Sequence, residues 1–280
     1  MQVVIRNFIK LLSAGAFHSN NEIEEMSEYK WNQLLYIAKI NNVDDFITSG
    51  IIYSEKLSNA VIPSNIKEKI NNEIYNNEIY NNETTHASQE YQYKPINNSI
   101  KKFSNSYLNK KLNKIIFDEV HCIDTSVDTI TFLTKSIDNV NNILSSKSYL
   151  RDLIMFGLYL REYGNKIDFI KIENWLSILK MKKIMNLIAL YLITYFNFDA
   201  EEIPFYTKSG KDKSPRIKLP IETIQKIKDE TDDSTKEPNI LIYNIPKPST
   251  SMFKYFSYYP IETLSIYFTN IFKSLSNIEE

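Results

Sequence analysis

Apolar residues recur at spacings of three and four along most of this chain, the period of a helix with one buried face. Residues 2–17 read as an opening amphipathic helix, with Ile5, Phe8, Ile9 and Leu12 on one side and a stop near Gly15. After the polar link HSNNEIEEM, Ser27 is placed to cap a helix whose inner face is Trp31, Leu34, Leu35 and Ala38. That helix ends at Asn41 and Asn42. A shorter one follows from Asp44 to Tyr53, and Pro63 and Ser64 open another. From Ser99 a stripe of Ile100, Phe103, Tyr107, Leu108, Leu112, Ile115 and Ile116 reaches Val120. Val127, Ile130, Leu133, Ile137, Val140 and Leu144 form the next.

The most regular stretch is 148–206. Ser148 can cap a helix carrying Leu150, Leu153, Ile154, Phe156, Gly157 and Leu160 inward, and Gly164 takes the place of a left-handed stop. Asp168 caps a helix burying Ile172, Trp175, Leu176 and Leu179, and a third helix runs from Lys182 to Phe196. Asp199 and Glu202 have the spacing of a capping box, closed by Pro204. Pro260 opens a last helix with Ile261, Leu264, Phe268, Ile271 and Leu275 in one stripe. Ahead of it lies an aromatic cluster, Phe253, Tyr255, Phe256, Tyr258 and Tyr259.

Two stretches break the helical pattern. NNEIYNNEIYNNE at 71–83 repeats every five residues, which matches neither helix nor strand. ILIY at 240–243 is the one good strand candidate, and the prolines at 246 and 248 limit it to an edge. The expected fold is therefore all-α, a bundle of eight to nine helices with at most a short strand or hairpin near 240–243. It divides into an N-terminal helical part (1–83), a polar linker (84–98), a central helical core (99–206), a charged and Pro-rich excursion (207–250) and the aromatic C-terminal segment (251–280).

Composition narrows the chemistry. The chain has 280 residues, 43% hydrophobic and 24% charged, enough for a real core. A net charge of −1 offers no field for nucleic acid, and no nucleic-acid partner is expected. Only 5 glycines occur, where ordinary usage would give roughly 20. Phosphate-cradling loops need glycine, so the scarcity argues against them. No Walker A, GxGxxG, Gly-Ser or Asp-x-Asp motif is present, and no cofactor is expected. The single cysteine, Cys122, excludes a disulfide framework and fits the cytoplasm. Arg6 and Lys10 interrupt the N-terminal apolar run, which favours a helix over a cleaved leader. No stretch reaches the about 18 uncharged apolar residues of a spanning helix; the nearest, Ile184 to Phe198, contains Asn186, Thr194 and Asn197.

DEVHCIDTSVD at 118–128 is the densest polar cluster. Asp118, His121 and Asp124 are the candidate catalytic or metal-binding residues there. Zinc sites use ligand pairs, and no second His or Cys pair exists, so no metal is expected and a capped helix end explains the same residues. The C-terminal segment has three readings: it closes the core, it docks a protein partner, or it lies at a membrane surface using Lys247, Lys254 and Lys273. As a docking surface it would use Phe253, Tyr255, Phe256, Tyr258, Tyr259, Phe268 and Phe272.

Three segments together resemble a known family. KLLSAGAF…EEMSEYKWNQLLYIAKINNV…GI at 10–51 resembles the helical opening of the uncharacterised bacterial nucleotidyltransferase family, and 150–181 is similar to that family's helical C-terminal region. The ending from 253 to 280 looks like the tail of a related short bacterial group. The resemblance implies a helical frame around a mixed-sheet catalytic palm with Gly-Ser and paired acids. Here the corresponding interval is the repeat, the link and more helices, and no position matches a catalytic residue. The expectation is a palm-less, non-catalytic relative acting by protein–protein contact, as accessory or regulatory partner of a full-length nucleotidyltransferase or a polysaccharide-assembly enzyme. The alternative is a divergent nucleotidyltransferase or metal-dependent enzyme centred on Asp118, His121 and Asp124.

Overall fold

A computed structural model describes residues 2–58, 62–70, 102–124, 126–145, 149–208, 214–221 and 253–276. The protein is all-α. Among the described residues there are ten α-helices and no strand. No helix among them is long and apolar enough to cross a membrane. The repeat at 71–83, the linker at 84–98, the strand candidate at 240–243 and the cap at Ser148 lie outside the described residues. The chain forms two compact units, Met1–Ile100 and Lys101–Glu280.

The first unit contains α1 (Gln2–Phe17), α2 (Glu28–Ile40), α3 (Asp44–Ser58) and α4 (64–70). Val4, Phe8, Leu11 and Leu12 of α1 face inward, with Trp31, Leu34, Ile37 and Ala38 of α2 and Ile47 and Ile51 of α3. Gly15 does not stop α1, which continues to Phe17. Its role is close approach: a Cβ there would stand 1.9 Å from the carbonyl oxygen of Phe46, and one on Gly50 would stand 2.0 Å from that of Leu11. Two glycines thus let the backbones of α1 and α3 touch. The left-handed residue that ends α1 is His18, at φ 54. Ser27 occupies the N-cap of α2 but makes no side-chain cap bond.

The polar link after α1 is strapped back onto it. Buried Asn7 donates to the Glu24 carbonyl at 2.7 Å and accepts from the Glu24 N–H at 3.0 Å. Arg6 reaches both carboxylate oxygens of Glu24, at 2.9 and 2.6 Å, and Lys10 adds a contact at 3.3 Å. The Arg6 guanidinium, helped by Lys10, lowers the Glu24 pKa to about 2.

The second unit contains α5 (Ser106–Val120), α6 (Val127–Leu144), α7 (Leu150–Tyr163), α8 (Phe169–Ile178), α9 (Lys182–Phe196) and α10 (Pro260–Ser276). Phe132 of α6 sits in a nest of rings, 5.0 Å from Phe156, 5.8 Å from Phe169 and 5.7 Å from Phe205. Asp168 caps α8 as its position predicts, accepting from the N–H groups of Ile170 and Lys171 at 3.0 Å. Asn105 caps α5 through Tyr107 and Leu108. Of the stretch 207–250, residues 207–208 and 214–221 are described, and Ile217 and Leu219 are buried.

Three local expectations are corrected. Gly164 is right-handed, at φ −55 and ψ −34, and carries α7 into a 3₁₀ turn over Gly164–Lys166. The left-handed helix ends nearby are Lys180, at φ 60 after α8, and Asn197, at φ 54 after α9. Tyr107 and Val127 each stand in the first turn of their helix and are exposed, because the buried stripe starts later, at the adjacent Leu108 in α5 and three residues on at Ile130 in α6.

Candidate functional site

The acidic cluster marks a helix end. Asp118, His121, Cys122 and Asp124 are all exposed around the C-terminus of α5. His121 folds back on that terminus: its Nδ1 lies 2.7 Å from the Phe117 carbonyl, and its ring lies 4.2 Å from the Phe117 ring. The buried member is Glu119, which accepts from Lys171 of α8 at 2.8 Å and from the Ser126 N–H at 3.3 Å. It ties the start of α6 and one face of α8 to α5. Among the described residues, no three His, Cys, Asp or Glu side chains gather closely enough to hold a metal ion.

The C-terminal aromatic residues divide into anchors and surface. Tyr255 and Tyr259 are buried. The Tyr259 hydroxyl donates to the Leu179 carbonyl at 2.9 Å, satisfying an oxygen that the end of α8 leaves without a helical partner. Its ring meets Phe103 edge-on at 6.3 Å. Tyr255 lies against Tyr191, and burial pushes its phenol up to about 12. Tyr258 is half-buried. Phe253, Phe256, Phe268 and Phe272 are 48%, 40%, 53% and 68% exposed.

The helix α10 is docked by its polar side. Glu262 and Thr263 are fully buried, while Leu264, Phe268 and Phe272 face outward at successive turns. The carboxylate of Glu262 accepts from the backbone N–H groups of Ser104 and Asn105, the latter at 3.1 Å. Asn105 also donates from its side chain to the Ser265 hydroxyl at 2.8 Å. One asparagine therefore caps α5 and holds α10. Burial raises the Glu262 carboxyl pKa, and the two N–H donors oppose the rise without cancelling it. On the outer side, Phe253 packs against Tyr267 at 5.3 Å and Tyr267 against Phe268 at 5.8 Å.

Glu262 had no place among the sequence candidates. Its signal was present: it is the only acid in α10, in the first turn of a strongly apolar helix. Leu264 was legible as part of a stripe, though not as part of a surface. Comparison with protein-family models, curated proteins and solved structures returned no match.

Proposed function

We propose that the protein is a non-catalytic interaction module that docks through the outward stripe of α10, and that the stripe's occupant is a second copy of this chain. The observation that carries the reading is the inverted packing of α10, with Glu262 and Thr263 buried while Leu264, Phe268 and Phe272 face out. At about 200 Å² per aromatic side chain, Phe253, Leu264, Phe268 and Phe272 present roughly 400 Å² of apolar surface. That is the size of patch which on a monomer commonly marks an interface, and about half of what each partner contributes to a standard one. From Thr263 to Phe272 no residue carries a charge. A two-fold axis sets a patch against itself, and an uncharged patch meets its own copy without like-charge repulsion. Side chains four residues apart form the ridge that packs against a matching helix.

The exposed positions of Asp118, His121 and Asp124 around one helix end support the non-catalytic part of the reading. The sequence resemblance supports an accessory role beside a full-length nucleotidyltransferase or a polysaccharide-assembly enzyme. A benzoylphenylalanine crosslinker at position 268 tests the docking. Irradiation of the purified chain should give a species of twice the chain mass, linked between two copies of the 264–272 segment. A probe that stays unlinked, or that in the presence of vesicles marks only lipid, contradicts the proposal.

A further inference from the structure

A groove of about 320 Å³ opens where the end of α8, the turn into α9 and the start of α10 meet. Its volume lies in the range of small-molecule sites, about 300–1,000 Å³. The floor is apolar, made of Leu176, Tyr259 and Ile261, and the rim carries Lys180, Lys182 and Lys183. Lys182 and Lys183 stand in the first turn of α9, where a cation opposes the helix dipole, and that turn contains no acid. Lys180 holds the left-handed conformation, at φ 60, that directs the turn between the helices. Lys111 adds a further ammonium at the same end of α8, bonded to the Ile178 carbonyl at 3.3 Å. The acid bonded to this rim is Glu173, itself exposed, 3.2 Å from Lys182. The local field is felt by Tyr107, whose phenol is held below its ordinary range by Lys111 and more weakly by Lys180. On a chain of net charge −1 this is a local concentration of positive charge beside an apolar floor.

We infer that this groove binds a soluble phosphate monoester with an apolar body, the phosphate on the lysine rim and the body on the Leu176–Tyr259–Ile261 floor. The site is independent of the docking stripe. Calorimetric titration of the full chain with phenyl phosphate, with inorganic phosphate alongside, tests it. Phenyl phosphate should bind saturably at one site, about tenfold tighter than inorganic phosphate, because its ring leaves water on the floor. Lys180→Glu combined with Lys183→Glu should weaken binding by at least about tenfold. Both side chains are exposed, so the variant keeps its fold, which circular dichroism checks. Lys166→Glu, at the opposite end of α8, should leave binding unchanged. No saturable binding, equal affinity for the two probes, or an equal loss in Lys166→Glu overturns the assignment. Binding to phosphatidate vesicles without binding to phenyl phosphate overturns it too, since it would place the phosphate on a lipid.

Discussion

A methyl group on Gly15 would stand 1.9 Å from the carbonyl oxygen of Phe46, and one on Gly50 would stand 2.0 Å from that of Leu11. Both neighbours are backbone, so neither can swing aside. Gly15→Ala and Gly50→Ala must push α1 and α3 apart, and each is expected to cost about 1–3 kcal/mol, read as a lower urea midpoint. Glu24 gives a second test at this scale. Its carboxylate is ordinarily half-protonated at 4.5 and is held at about 2 by Arg6 and Lys10. The folded state therefore binds fewer protons, and the contribution of Glu24 is present above 4.5 and lost as pH falls toward 2. Glu24→Gln removes that dependence. The difference in melting temperature between wild type and Glu24→Gln should be present at neutral pH and close across that acid window. Gly15 also shows what a single residue hides. A helix stop and a close helix crossing both call for a residue without Cβ, and only the position of α3 decides between them.

At the scale of elements, the joint between α10 and the rest of the second unit rests on two buried polar residues. Tyr259→Phe removes the donor to the Leu179 carbonyl and leaves a buried oxygen bare. The expected cost is about 1–3 kcal/mol, measured by denaturation. Glu262 behaves oppositely to Glu24. Its folded pKa is raised by burial, so its contribution is fully present below 4.5 and lost as pH rises through the raised value. Hydrogen exchange of the α10 amides should quicken, relative to Glu262→Gln, as pH rises through that window; a ratio flat with pH would contradict the burial of this carboxylate. Helix positions were legible because apolar period and caps are local: Asp168, three residues before the lysine it caps, needs no distant partner. The orientation of α10 was not legible. The stripe of Ile261, Leu264, Phe268, Ile271 and Leu275 says which side is apolar, while the side that meets the protein is set by Ser104 and Asn105, about 160 positions earlier.

The molecule as a whole carries its features in different places. The first unit is closed by a glycine crossing and a strapped link. The second unit buries its aromatic centre around Phe132 and leaves an apolar, uncharged helix face outside. The polar cluster at 118–128, the sharpest chemical signal in the sequence, ends a helix, with Glu119 as its structural member. The C-terminal residues grouped by the sequence as one docking surface divide in the structure. Tyr255 and Tyr259 anchor, while Phe253, Phe268 and Phe272 remain outside. Aromatic content is readable from a sequence; the split depends on which rings reach distant partners, Leu179 and Phe103 for Tyr259 and Tyr191 for Tyr255.

The measurement that bears most directly on the proposed role is sedimentation equilibrium of the wild-type chain beside Phe268→Asp combined with Phe272→Asp. Both rings are more than half exposed, so the variant should melt with the wild type. The wild type should show a reversible, concentration-dependent dimer, and the variant should weaken it by at least about 30-fold, the loss of about 2 kcal/mol expected at the centre of an interface. A wild type that stays monomeric at every concentration, or a dimer that survives both aspartates, would contradict the account.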